Sequence, residues 1–282
     1  MRRGGAVLAV LTVIAVDAQS PTFSSRVDGV RLDVLVTQSG RPVRGLGRED
    51  FDIWDNGVRQ QVDVVSTGQT PVNVLLALDL SDSVQSQRLA DLRAAGAALL
   101  DGLGEEDQAG LLTFDHAVTL RSGLTTDRVA VREALATADA AGGATALVDA
   151  TFAAIAVGES DVGRSLLVVF SDGIDTSSWL APADVFDAAR RGDVVVYAVS
   201  TAASSRRFLH ELTVASGGQL LTEPRTERLA STFKAILNEF RDRYLVTFTP
   251  RGVAKGGWHK LEVRVKTGRA KVQARPGYLG GS

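Results

Sequence analysis

From about residue 71 to residue 242 the chain alternates between short apolar runs and longer stretches with helical spacing, while the segments on either side carry only strand-like patterns. The apolar runs are Val72 to Leu78, Ala109 to Phe114, Ala117 to Leu120, Leu166 to Phe170, Val194 to Val199 and Gln219 to Thr222. Leu89, Leu92, Gly96, Leu99 and Leu103 mark one face of a helix between the first two. Further helices are predicted from Thr126, from Leu147, near 182 to 190, and from Glu227 to about Asp242. Repeated strand and helix alternation implies a mainly parallel sheet covered on both faces. The flanks obey another grammar. Val30 to Val36 alternates, Asp55-Asn56-Gly57 between Phe51-Asp52-Ile53-Trp54 and Val58 to Val65 signals a hairpin, and Leu261, Val263 and Val265 alternate with Glu262, Arg264 and Lys266. Neither flank has enough strands to be stable alone, so the two are expected to pair. The predicted architecture is a doubly wound, mainly parallel α/β domain (71–242) inserted into a small all-β domain built from both chain ends (19–70 and 243–282).

Residues 1–18 read differently. Arg2 and Arg3 precede an apolar stretch from Ala6 to Val16, and Val16-Asp17-Ala18 fits a processing site, so a secretory leader cleaved after Ala18 is expected. Eleven apolar residues are too few to span a bilayer, so no stable transmembrane segment is expected after processing, and the product would be secreted or periplasmic. An uncleaved anchor is the alternative. The formal charge of -2 and the lack of a long basic run argue against nucleic acid as a partner. With no cysteine, disulfides, thiolate metal sites and cysteine catalysis are excluded.

Directly after the first core strand stands Asp79-Leu80-Ser81-Asp82-Ser83, one carboxylate and two hydroxyls at alternate positions. Such a loop can turn three hard oxygens toward one point, which suits Mg²⁺, Mn²⁺ or Ca²⁺. A D-x-S-x-S pattern arises by accident in roughly one chain in twenty of this length. Its companions strengthen it. Ser165 to Phe170 is a second apolar strand ending in Ser171-Asp172-Gly173, and Ala141 to Leu147 is a glycine-bearing loop holding Thr145. Loops at the carboxyl ends of neighbouring strands in a doubly wound sheet converge on one crevice, where Asp79, Ser81, Ser83, Thr145 and Asp172 would meet.

In these five residues the chain resembles the von Willebrand factor type A (VWA) domain, whose metal-ion-dependent adhesion site combines D-x-S-x-S, a distant Thr and a later Asp. It is also similar, over essentially the whole mature length, to secreted bacterial VWFA-related proteins. Gly47 to Gly57 matches their G-x-x-x-x-D-F-x-I-W-D-N-G lead, Tyr244 to Pro250 their Y-x-V-x-F-T-P strand, and Ala274 to Tyr278 their A-R-P-G-Y tail. Asp82 stands where many members have Gly, and Val84 where many have Met. An extra carboxylate there either raises cation affinity or repels an acidic partner. The resemblance implies a Rossmann-like fold and a divalent cation, Mg²⁺ first with Mn²⁺ or Ca²⁺ as alternatives. It also implies a protein ligand that supplies an Asp or Glu carboxylate to the metal, with binding shifting the last helix, here Glu227 to Asp242.

Taken singly, Ser81 and Ser83 serve equally as helix caps, and Asp79 and Asp172 as turn formers. Taken together they point to a cation site, and the resemblance implies an adhesion or protein-interaction module rather than an enzyme. The competing readings are a Mg²⁺-dependent phosphoryl-transfer hydrolase using Asp79 as acceptor, and an envelope scaffold with a vestigial site. Against the first, Ser81 occupies the place where a second aspartate is needed, and the chain has neither a P-loop nor a G-x-S-x-G elbow. His116, His210 and His259 are read as surface or packing residues, and Asp82, Asp115 and Asp175 as solvated, with a supporting acidic role beside the site as the alternative. Arg241-Asp242-Arg243 is read as a solvated helix end. Trp54, Trp179 and Trp258 are expected to be core or interface anchors, with Trp179 at a binding rim.

Overall fold

The structure is a computed structural model that describes residues 29–68, 70–81, 87–140, 142–160, 162–201 and 207–280. The leader and its cleavage site, and Ser83 with its neighbour Asp82, lie outside the described residues. The chain begins with β1 (Val30–Gln38), β2 (Arg41–Pro42), β3 (Phe51–Asp55), β4 (Val58–Gln60) and β5 (Val62–Ser66). Then come β6 (Val72–Asp79), α1 (Gln87–Asp101), β7 (Gln108–Phe114), β8 (Val118–Thr125), α2 (Arg128–Ala136) and α3 (Leu147–Gly158). The alternation continues through β9 (Arg164–Phe170), α4 (Pro182–Arg191), β10 (Val195–Ser200), α5 (Arg207–Ser216), β11 (Leu220–Thr222) and α6 (Leu229–Arg241). Four strands close the chain: β12 (Tyr244–Phe248), β13 (Gly257–Val265), β14 (Lys271–Gln273) and β15 (Gly277–Gly280).

The middle elements build one six-stranded sheet in the order β11-β10-β9-β6-β7-β8, parallel throughout except for β8, which pairs antiparallel with β7. Every residue of β6 is buried because the strand is covered twice. Val74, Leu76 and Leu78 face one core with Leu92 and Leu99 of α1 and Phe233 and Phe240 of α6, while Leu75 and Ala77 face a second core with Leu147 and Ile155 of α3. Each fully buried leucine contributes on the order of 1.5–3 kcal/mol, which sets this sheet as the rigid frame of the molecule. From β6 the winding runs to β7 on one side and, after α3, to β9 on the other. The strand order thus reverses between β6 and β9, the place where open α/β sheets present a crevice. Helix α2 starts at Arg128 rather than at Thr126, because the Asp127 carboxylate accepts the backbone N–H groups of Val129 and Ala130 as an N-cap.

The two ends of the chain interleave. In β1 and β12, Leu32 pairs with Val246 and Val34 with Tyr244, and in β13 and β3, Val263 pairs with Ile53. Two antiparallel sheets result, β14-β1-β12-β5 with β2 on β1, and β15-β13-β3-β4. Both line one core containing Leu32, Val34, Ile53, Tyr244, Val246 and Phe248. The predicted Asp55-Asn56-Gly57 hairpin forms, with Asn56 at φ 46° and Gly57 at φ 82°, the left-handed pair that a two-residue turn needs.

This β unit sits against the amino ends of the central strands. Arg164, the first residue of β9, is buried and forms a two-pronged ion pair with Asp33 of β1. Arg243 is fully buried, donating to Tyr197 Oη (3.0 Å) and to the carbonyls of Gly217 (2.8 Å) and Asp33 (3.2 Å). It is therefore a fastener and not the solvated helix end expected from its charged neighbours. Arg275 adds bonds to the carbonyls of Gly192 and Arg31. Gly217, at φ 77°, lets the two backbones meet, since a Cβ there would lie 2.4 Å from the Arg275 nitrogen. Among the described residues no helix is long and apolar enough to cross a membrane.

Candidate functional site

Asp79 is the last residue of β6, and the hydrogen bond from Leu80 N to Phe114 O (2.7 Å) carries the sheet direction one residue further before the chain turns. The Asp79 side chain is fully buried. Its Oδ1 accepts the Ser81 N–H at 3.0 Å and its Oδ2 accepts the Ser171 hydroxyl at 2.7 Å. Burial pushes the Asp79 carboxyl above its ordinary range, the hydrogen bonds from Ser81 and Ser171 oppose that rise, and the nearby Asp172 charge adds to it. Among the described residues no Lys, Arg or His forms an ion pair with Asp79.

Asp172 follows the other strand at the reversal point, half-buried, with its Oδ1 accepting the Ile174 N–H at 3.1 Å. Ser81 and Thr145 are buried at the same edge. Thr145 hydrogen-bonds to the loop that carries Asp172. Its N–H donates to Thr176 Oγ1 (2.8 Å), and its carbonyl accepts the N–H groups of Thr176 (2.9 Å) and Ser177 (3.1 Å). Ala146 N donates to Asp115 O at 2.7 Å, tying the same segment to the turn after β7. The structure therefore brings Asp79, Ser81 and Asp172 into one hydrogen-bonded and electrostatic neighbourhood and Thr145 to the loop around them. Of the expected five, Ser83 alone lies outside the described residues.

Three residues missed in sequence shape this site. Ser171, adjacent to Asp172, orients Asp79, and the serine in Ser171-Asp172-Gly173 was its only sequence signal. Thr176 holds Thr145. Asp149, on the first turn of α3, accepts the N–H groups of Trp179 (3.0 Å) and Leu180 (2.9 Å). Asp115 and Asp175 are also more than solvated carboxylates. Asp115 Oδ1 accepts Ala117 N at 2.8 Å, and Asp175 Oδ1 accepts Val148 N at 3.2 Å and the Ser178 hydroxyl at 2.6 Å. None of the three tryptophans is a core anchor. Trp54 is half-buried, with the Arg264 guanidinium over its ring, Trp258 carries Arg190 over its ring, and Trp179 is 95% exposed. His259, by contrast, is buried between Asp55 and Tyr278 in the β unit, far in the chain from the Asp79 loop.

The donor set is chemically coherent for a hard cation. Among the described residues no group of three His, Cys, Asp or Glu side chains gathers anywhere, so a soft or histidine-rich metal centre is not built there. What the edge offers is a buried carboxylate without a cationic partner, a second carboxylate beside it, and hydroxyl oxygens. A recess of about 560 Å³, lined by Pro71, Gly104, Asp107 and Arg241, opens at the opposite end of the sheet.

Residues 74–175 match the family model of the von Willebrand factor type A domain. No curated protein matches the sequence. Among solved structures, the chain is similar to a von Willebrand factor type A protein from Catenulispora acidiphila, at 14% identity and a TM-score of 0.53, over 87% of this chain and 76% of that one. It is similar to the PilB minor pilin from Streptococcus sanguinis at 12% identity and a TM-score of 0.52, over 63% of each chain. Proximal thread matrix protein 1 from the mussel byssus, in a structure with a zinc-occupied MIDAS motif, matches at 13% identity and a TM-score of 0.52. That match covers 60% of this chain and 48% of the byssus protein, so this chain spans about half of its length. The matched residues hold most of β6, the whole of β9 and the reversal point between them, and this part of the chain carries a von Willebrand factor type A domain.

Proposed function

We propose that the chain is a cation-dependent adhesion or protein-interaction module, whose VWA domain holds a divalent cation through Asp79, Ser81, Ser83, Thr145 and Asp172. The last ligand is an Asp or Glu carboxylate of a protein partner, and Mg²⁺ is the first choice of cation. A bound cation supplies a Lewis-acidic anchor for an outside carboxylate. Asp79 contributes charge, Ser171 fixes its orientation, and Thr176 holds the Thr145 segment in place. The single observation that carries the reading is Asp79 itself, a fully buried carboxylate with no cationic partner among the described residues, at the strand-order reversal and beside Asp172. An uncompensated buried charge is costly, and a cation removes that cost. The zinc-occupied MIDAS motif of the byssus protein is consistent with this reading.

The phosphoryl-transfer alternative is less well served. It needs an Asp79 oxygen open to an incoming phosphorus atom, whereas the side chain is buried and both oxygens accept hydrogen bonds. The proposed division of the chain is a leader at 1–18, removed on export, the VWA domain at 71–242, and a β domain shared between 19–70 and 243–282. Export places the mature protein outside the cytoplasm, where an intact mass starting at Gln19 checks the cleavage.

The test of the site is thermal. At ten times its dissociation constant a cation specific to the native state adds about 1.4 kcal/mol. That is a rise of roughly 3 to 6 °C in Tm for a domain of this size. Millimolar Mg²⁺ or Mn²⁺ is expected to raise the Tm of wild type and leave Asp79→Ala unmoved. Equal shifts in both proteins, or none in wild type, return the five residues to capping and turn-forming roles.

A further inference from the structure

The loop after Asp172 exposes large apolar side chains on a backbone that is tightly braced. Ile174 is 45%, Leu180 37% and Trp179 95% exposed. Loops that expose such residues without purpose are usually free to move, and this one is not. The N–H groups of Trp179 and Leu180 both bond to Asp149, the Ser178 hydroxyl accepts Val148 N (3.0 Å) and Asp149 N (3.1 Å), and Thr176 and Ser177 bond to Thr145. The indole is thus presented on a fixed mount one helical turn along α3 from Thr145. Phe152, three residues beyond Asp149 on the same helix face, is 37% exposed and continues the rim. A tryptophan on a braced backbone has only its own side-chain rotations to lose on binding, and it is among the side chains most enriched at energetic centres of interfaces.

The charges along this stretch of the chain are almost all of one sign. From Ala140 to Ala189 the only basic residue is Arg164, and that side chain is buried against Asp33 at the opposite sheet edge. Asp149, Asp172, Asp175 and Asp184 all lie in or beside the loop. Asp172 and Asp175 use only Oδ1 in their hydrogen bonds to this loop and to α3. An aromatic face set among carboxylates attracts a cationic side chain, through the ring and through the field of the acids.

We propose that Trp179 is a second recognition point beside the metal. It receives a Lys or Arg side chain of the same protein segment whose carboxylate completes the cation's shell. The inference rests on the reading of the metal site given above. The partner segment is zwitterionic: an acid for the cation, and a base for the indole and its acidic surround. Acid and base lie on one short stretch of that segment, so that it meets both points at once.

A phage-displayed library of random heptapeptides, panned on the purified protein in Mg²⁺ and in EDTA, tests both halves. Wild type in Mg²⁺ is expected to enrich peptides that carry Asp or Glu with Lys or Arg within four positions. Trp179→Ala should keep the Mg²⁺-dependent selection of the acid and lose enrichment of the base. Individual selected peptides should then bind about 2- to 30-fold more weakly to Trp179→Ala, the range of an aromatic contact to a cation. Peptides that need Mg²⁺ and an acid but show no basic residue, or equal basic enrichment on Trp179→Ala, overturn this inference and leave the metal site standing. Selection that survives both EDTA and Asp79→Ala defeats the metal reading and with it the two-point contact. Trp179-dependent sedimentation with phosphatidylcholine vesicles would mark the rim as a lipid contact and also overturn it.

Discussion

Asp79 and Asp107 are both buried carboxylates of the same sheet, at opposite ends, and their surroundings differ in one respect. Asp107, before β7, accepts the N–H groups of Val72 (2.7 Å) and Gly104 (2.7 Å) and pairs with Arg241 at the end of α6. Asp79, at the end of β6, accepts two hydrogen bonds and faces another carboxylate instead of a cation. Burial pushes both upward. At Asp107 the backbone N–H groups and Arg241 outweigh it and hold the carboxyl below its usual range, whereas at Asp79 burial wins. The amino edge of the sheet is closed with arginines, Arg164, Arg241 and Arg243, whereas at the carboxyl edge no described residue gives Asp79 a basic partner. A buried carboxylate with its cation fastens the fold, and one without it carries an uncompensated charge, which is the basis of the proposed cation site.

The most severe way to break the fastened end is to delete residues 243–282. β12 to β15 supply four of the nine strands of the two outer sheets, so the N-terminal strands would be left with open edges and an exposed apolar face. Rapid proteolysis within 30–66 and aggregation are expected, and a truncated protein that stays soluble and protected there would refute the shared β unit. Next in size, Arg164→Ala leaves Asp33 buried without its partner and should cost about 3–5 kcal/mol in urea unfolding, whereas the double change Arg164→Met with Asp33→Leu should recover most of that loss.

The two aspartates sharpen the contrast by sign. Asp107 has a folded pKa below its unfolded one, so its contribution is fully present above about pH 4 and fades as pH falls through the lower folded value. Asp107→Asn should therefore lose about 1.5–3 kcal/mol at neutral pH and little at pH 2. Asp79 has a folded pKa above its unfolded one, so the metal-free protein is penalised as pH rises from about 4 through that raised value. Asp79→Asn should match wild type near pH 3 and exceed it at pH 7 in EDTA. Saturating Mg²⁺ should reverse that order by stabilising wild type alone. A variant less stable than wild type in EDTA at pH 7 would put Asp79 among the fasteners. The smallest effect belongs to Trp179→Ala, which should change stability by no more than about 0.5 kcal/mol, because the indole is almost wholly in solvent.

Much of this was legible in the sequence where the pattern is local. Val72 to Leu78 reads as a strand covered on both faces because no position in it is polar except Asn73, and the structure buries every one. The Asp55-Asn56-Gly57 turn and the start of α3 at Leu147 follow from backbone preferences of a few neighbouring residues. Other features were hidden because they depend on partners outside the local pattern, from about thirty to more than two hundred residues away. Arg243 in a charged triplet looks solvated until Tyr197, Gly217 and Asp33 surround it. His259 and Tyr278 meet Asp55 only after the last strands fold back on the first. Trp179 was expected at a rim from its place after the Asp172 loop, but the bracing of its backbone by Asp149 shows only in the fold.

The sequence by itself determined the order of elements, the insertion of an α/β domain between two β segments, and the carboxylates and hydroxyls that end the β6 and β9 strands. These are properties of periodicity and of residue type at strand ends, which short-range physics dictates. Only the tertiary structure decided which of the buried charges would be neutralised from within. Asp33 and Asp107 meet arginines brought to them from β9 and α6, while Asp79 meets Ser171 and Asp172. Charge balance in a low-dielectric interior is set by distances between residues far apart in the chain, and such distances exist only once the sheet has closed.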